Sequence, residues 1–135
     1  MDSEEAGVSD AAETQKKVLL VEDDLALNEL YTMYIKEAGY EVVSAHDGKE
    51  GFEAFEKGNF DVVLLDLMLP KMNGFEFLKR RKELHGKEGV PIVALTALGG
   101  EGKNEDKALN LGAKEYLVKS DIEPEDILKV VQKYT

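Results

Sequence analysis

Residues Asp61 to Gly74 read DVVLLDLMLPKMNG. Four apolar residues, Val62 to Leu65, end on a carboxylate, Asp66, and Pro70 and Gly74 follow closely. A short, unbroken apolar run bounded by turn residues is the pattern of a strand buried on both faces. Proline and glycine then turn the chain away. The run therefore predicts a buried strand that delivers an acid to its open end, and the rest of the chain should supply a sheet around it.

On the N-terminal side, KVLLVE (Lys17 to Glu22) is a second run of this kind. Leu27, Leu30, Tyr31, Tyr34, Ile35 and Ala38 then recur at helical spacing, with Gly39 as the stop. YEVVSA predicts another strand, and DGKEGFEAFEKG a short helix with Phe52 and Phe55 on one side. Beyond the opening stretch, GFEFLKRRKELHG predicts a helix and VPIVALT a strand, with Pro91 at its start. LGGEGKNEDKALNLG predicts a glycine-rich loop and a helix capped by Asn104. KEYLVK predicts the last strand, and EPEDILKVVQKY the last helix, with Pro124 in its first turn. Strand and helix alternate five times. Such alternation implies right-handed crossovers, hence an α/β fold with a doubly wound parallel sheet and helices on both faces.

Composition bounds the function. The 135 residues make about one domain. There is no cysteine, which excludes disulfides and thiolate metal sites and fits a reducing compartment. No basic-then-apolar leader opens the chain, and no apolar run is long enough to span a bilayer, so a cytoplasmic protein with no membrane contact is expected. The net charge of −11 argues against direct nucleic-acid binding, because phosphate contacts need Lys and Arg. Residues 1–15, MDSEEAGVSDAAETQ, are small, polar and acidic, and predict a disordered tail ahead of a domain over 16–135.

In an open parallel sheet, ligands sit outside the carboxyl ends of the strands. Those ends carry Glu22, Asp23 and Asp24, then Asp66, Thr96 and Lys119. Taken singly, each has an ordinary explanation: Asp24 as a helix cap, Asp66 as turn chemistry, Thr96 as strand propensity, Lys119 as a solvated surface group. Their joint placement on strand ends is what those explanations leave out. Crowded carboxylates need a compensating charge, and a hard divalent cation such as Mg²⁺ supplies it through oxygen ligands. Lysine and a threonine hydroxyl suit a phosphoryl group. With the site neutralised, Asp66 can attack phosphorus as a nucleophile.

As a set, LLVEDD, DVVLLDLMLPKMNG, PIVALTA and GAKEYLVK closely resemble the receiver domain of two-component response regulators, from about Lys17 to the end. The resemblance implies a flavodoxin-like fold with strand order 2-1-3-4-5. It implies phosphorelay signalling rather than an enzyme with its own substrate turnover. Asp66 would accept a phosphoryl group from a histidine kinase or a histidine phosphotransfer protein, with Mg²⁺ bound. Asp23 would ligate the metal directly and Glu22 through water, and the Met68 backbone carbonyl would complete the protein's ligands with Asp66. Thr96 would hydrogen-bond the phosphoryl group and Lys119 pair with it. Ala97 matches the small residue that leaves the site open, and Tyr116 the aromatic that swings inward when Thr96 moves. The surface of the fourth helix, fifth strand and fifth helix would then change for an unknown downstream protein, as a monomer or a weak dimer on activation. A degenerate receiver serving only as a binding module, or a piece of a larger regulator or hybrid kinase, stays open.

Two departures are visible. Ser120 follows Lys119 where the family usually has a cis proline. Because a cis bond before a non-proline residue costs about 3 kcal/mol, either a trans bond with a rebuilt loop or a strained cis bond is expected. Glycines 99, 100 and 102 predict a mobile loop after Thr96. Met68 and Leu98 stand two places after the acceptor and the threonine; neither orients a water molecule, so slow loss of phosphate is expected. A phosphohydrolase of the haloacid dehalogenase type needs an aspartate at position 68, which is Met, and ALGGEGKN lacks the first glycine and the final Ser or Thr of a P-loop. His46 and His85 are read as surface residues.

Overall fold

The computed structural model describes residues 15–97 and 102–135. The described residues form β1 (Lys17–Val21), α1 (Leu25–Glu37), β2 (Glu41–Ala45), α2 (Gly48–Lys57), β3 (Val62–Asp66), α3 (Gly74–Arg81), β4 (Ile92–Thr96), α4 (Gly102–Asn110), β5 (Glu115–Val118) and α5 (Pro124–Tyr134). A 3-10 turn, Lys119–Asp121, joins β5 to α5. The five strands are parallel, in the order β2-β1-β3-β4-β5. The expected flavodoxin-like, doubly wound sheet is therefore observed. Among the described residues, no helix is long and apolar enough to cross a membrane.

The two faces of the sheet follow from strand periodicity. Val18, Leu20, Val62, Leu64, Val93 and Leu95 point to one side, where Tyr31 and Ile35 of α1 and Ile127 and Val131 of α5 cover them. Leu19, Val21, Val63, Leu65, Ile92 and Ala94 point to the other, beneath α2, α3 and α4. There Phe52, Phe55 and Phe77 pack together, with the Phe52 and Phe77 rings edge to face at 5.1 Å. β3 is buried at all five positions, as its continuous apolar run predicts for a central strand.

The chain turns after β3 as Pro70 and Gly74 predict, and the reason for Gly74 is contact. A Cβ there would lie 2.7 Å from the Leu67 Cα and 2.8 Å from the Asp66 carbonyl oxygen. The loop then leans on α2. The Gly48 N–H donates to the Pro70 carbonyl at 3.2 Å, and Lys71 takes a left-handed φ of 68°. Lys71 also lies 3.6 Å from Asp47, the side-chain cap of α2.

Several boundaries differ from expectation. α3 stops at Arg81, and KELHG continues only as turns. The Arg81 guanidinium is buried and donates to the carbonyls of Val90 at 2.7 Å and of Lys87 and Gly112 at 3.3 Å, drawing the connecting segment under the helix end. α4 begins at Gly102, so Asn104 sits inside the helix and does not cap it. The described residues contain no cis peptide bond, so Lys119–Ser120 is trans and the loop is rebuilt as the 3-10 turn. The expected tail lies outside the described residues apart from Gln15, whose amide donates to the Gly39 carbonyl. Leu98, Gly99 and Gly100 also lie outside them. His46 and His85 are exposed.

Candidate functional site

The carboxyl ends of β1, β3, β4 and β5 converge. Glu22 follows β1 and is fully buried; Asp66 closes β3 at 3% exposure. Asp23 is exposed. Carboxylate oxygens of Glu22, Asp23 and Asp66 lie within 4.8 Å of one another. Lys119 reaches in from the end of β5, with Nζ 2.5 Å from Glu22 Oε1 and 2.8 Å from Asp66 Oδ2. The structure thus brings Glu22, Asp23, Asp66 and Lys119 together.

Glu22 and Asp66 are each held from both sides. Asp66 Oδ1 accepts from the Met68 N–H at 2.9 Å, while Oδ2 faces Lys119. Glu22 Oε2 accepts from the Asp24 N–H at 3.0 Å. Asp24 caps α1 by accepting from the Leu27 N–H, as its sequence position predicts. Met68 is 54% exposed, and Ala97, after β4, is exposed as well. Thr96 is buried as the last residue of β4. Tyr116 pairs with Ala94 across the β4–β5 ladder and packs half-buried against the core beneath α2, α3 and α4.

Burial costs the charged form of an acid, and this dominates at Glu22, whose carboxyl is pushed up to about 7 despite its contacts with Lys119 and Asp24. Burial pulls Lys119 down, but its hydrogen bonds to Asp66 and Glu22 outweigh this and raise it above the usual ammonium range. The sign for stability follows from Glu22. Its folded pKa lies above the unfolded value, so the folded state binds more protons between them and stability falls as pH rises through that window. Lys119, also raised, has the same sign, its stabilisation being lost as pH rises through its folded value, and it acts only at alkaline pH. In metal-free buffer, the melting temperature should therefore decline from about pH 5 to about pH 7.5, and Glu22→Gln should flatten that slope. Thermal melts of both proteins across the range check this; equal slopes would refute it.

The donor set fits a hard cation. It is all oxygen, carries more than one negative charge, and has an exposed member, Asp23, on the solvent side. Lysine and an adjacent hydroxyl-bearing strand end suit a tetrahedral oxyanion beside it.

Two further residues escaped the sequence reading. Asn28 and Arg81 are buried polar side chains on helices otherwise read for their apolar stripes. Asn28 falls in register with Tyr31 and Ile35, and Arg81 with Phe77 and Leu78. A polar residue at a core position of the helical repeat was the available signal.

Known proteins share this sequence pattern and fold. A family model of the response regulator receiver domain matches residues 18–132. An uncharacterized transcriptional regulatory protein, YcbL of Bacillus subtilis, is 43% identical over 103 residues, covering 75% of this chain and 43% of that protein. The chain spans less than half the length of such curated relatives. Among solved structures, the chemotaxis response regulator CheY4 of Vibrio cholerae superposes with a TM-score of 0.83 at 34% identity, covering 90% of this chain and all of that one. The receiver domain of the sensor histidine kinase PA1611 of Pseudomonas aeruginosa, with a magnesium ion coordinated in its active-site cleft, gives 0.79 at 26% identity, covering 90% and 97%. By sequence and by fold alike, the chain belongs to the receiver domains of two-component response regulators.

Proposed function

We propose that residues 16–135 form a Mg²⁺-dependent phosphoacceptor and that Asp66 carries the phosphoryl group. The observation behind this is Lys119, whose partly buried ammonium bridges Asp66 and Glu22 at the carboxyl ends of the strands. Receiver domains signal between histidine kinases and downstream effectors, and they bind Mg²⁺ at an acidic pocket. Glu22, Asp23, Asp66 and the Met68 carbonyl would hold the ion here. When bound, Mg²⁺ neutralises the crowded acids and the phosphoryl oxygens. An Asp66 oxygen forms the new O–P bond as the P–N bond of the donor's phosphohistidine breaks, and the electron pair leaves with the imidazole nitrogen. Lys119 moves its hydrogen bond from the carboxylate to the phosphoryl group.

The new group adds nearly two negative charges. Thr96 donates its hydroxyl to a phosphoryl oxygen, and Tyr116 follows into the room this leaves. The surface of α4, β5 and α5 shifts between two populations that a downstream protein distinguishes.

The test is intact-mass spectrometry after incubation with acetyl phosphate and Mg²⁺, beside Asp66→Asn. One phosphoryl group, absent without Mg²⁺ and absent in the variant, is the expected result. No addition to a folded protein, from acetyl phosphate or from a phosphohistidine donor, would leave only the binding-module reading. The same sample reports lifetime. Neither Met68 nor the residue type at position 98, leucine, offers a group that positions water; Met68→Asn with Leu98→Glu should therefore shed phosphate faster than wild type. Equal decay in the mass time course would refute that role.

A further inference from the structure

The end of β1 presents a problem of satisfaction. The last rung of the β1–β2 ladder pairs Val21 with Ala45, and the Glu22 N–H still donates to the Ala45 carbonyl at 3.0 Å. The Glu22 carbonyl lies beyond the ladder, on a residue that is fully buried. A buried carbonyl needs a donor. Asn28 supplies it. Its Nδ2 donates to the Glu22 carbonyl at 3.0 Å and to the Ala45 carbonyl at 3.3 Å. With carbonyl oxygens on both sides, the atom facing them must be the nitrogen. The other end of the amide is also held, because Oδ1 accepts from Thr32 Oγ1 at 3.3 Å. Thr32 Oγ1 in turn lies 3.1 Å from Ser44 Oγ on β2. Asn28 is 3% exposed, and its own N–H closes the first turn of α1 on the Asp24 carbonyl.

This chain ties three things together: the backbone on which Glu22 and Asp23 stand, the adjacent β2 strand, and the first turn of α1. We propose that Asn28 is a positioning residue for the metal site, fixing the peptide between Glu22 and Asp23 so that both carboxylates are in place before a cation binds. Thr32 and Ser44 hold Asn28 and act one step further out. The inference rests on the reading of Glu22, Asp23 and Asp66 as a Mg²⁺ site. Groups that hold a metal's ligands, without touching the metal, commonly change its affinity by about ten- to a hundredfold.

The experiment measures Mg²⁺ affinity by calorimetry, with no phosphodonor, at a temperature where every variant is folded. Asn28→Ala should bind about tenfold more weakly than wild type. Asn28→Ser, which retains one donor, should fall between them. Thr32→Val keeps both amide donations and should lose less than about threefold. Phe55→Leu, in the core on the far face of the sheet, should lower the melting temperature and leave the affinity unchanged; this separates positioning from general loosening. Amide NMR shifts of Asp23 and Asp24 in the metal-free protein should move in Asn28→Ala and Asn28→Ser and stay in Phe55→Leu. If wild type binds Mg²⁺ and either Asn28 variant matches it within about twofold, the positioning role is wrong. Equal weakening in Phe55→Leu would also overturn it. A wild type that binds no Mg²⁺ removes the metal-site reading itself, and this inference with it.

Discussion

Lys119→Met should be strongly destabilising in metal-free buffer at about pH 8, by about 3 kcal/mol, because it removes the cation that two buried carboxylates share. The methionine is of similar length but leaves Glu22 and Asp66 facing each other without compensation. The loss should shrink at about pH 5.5, where Glu22, pushed up to about 7 even in the presence of Lys119, holds its proton. For a chain of this size the difference amounts to roughly 10 °C in melting temperature. The same substitution should slow phosphoryl uptake from acetyl phosphate by at least about a hundredfold, since a preorganised cation facing the developing charge is lost. Melting curves at the two pH values and an intact-mass time course measure both effects. A variant as stable as wild type at the higher pH would show that Lys119 does not neutralise the pair.

The second large effect concerns no charged group. Gly48→Ala would place a methyl carbon 1.5 Å from the Met72 carbonyl oxygen and 2.9 Å from the Met72 Cβ. Backbone cannot yield to that contact as a side-chain tip can. Either α2 retreats from the loop after β3, losing the Gly48 N–H bond to the Pro70 carbonyl, or the loop is displaced. The expected cost is about 3 kcal/mol, comparable to overpacking a tight core. Because the loop carries Met68, whose N–H holds Asp66, phosphoryl uptake should fall as well. Gly89→Ala is the control: nothing lies within 4 Å of its added carbon, its φ is not left-handed, and the effect should be neutral or slightly stabilising. Equal melting temperatures for the two variants would contradict the contact.

Much of this was legible in the chain because burial on both faces writes itself as an unbroken apolar run. β3 and β4 are buried at every position and were found with their ends nearly intact. The cap at Asp24, where a side chain acts on its own helix, was legible, and so was the start of α5 at Pro124. Asn104 misled because a helix start depends on the backbone before it, and α4 begins two residues earlier. The end of α3 was hidden for another reason: KRRKELHG is good helical sequence, but Arg81 bonds to carbonyls from β4's approach and from beyond α4, which no local pattern contains. Asn28 was missed likewise, since its partners stand on β1 and β2. The acids and the lysine were found because strand ends in a parallel sheet share one edge. Their distances, and the sharing of one ammonium by two carboxylates, are tertiary facts.

That sharing bears on biogenesis. Glu22 and Lys119 come from nearly opposite ends of the described chain, with Asp66 between them, and they meet only when β1, β3, β4 and β5 have all paired. Such long-range pairing forms late and at once in cooperative folding. A nascent or truncated chain lacking β5 has Asp66 but not its counter-ion. Under the proposed function, competence to take up phosphate would coincide with completion of the fold, and half-made protein would add no false signal to a relay.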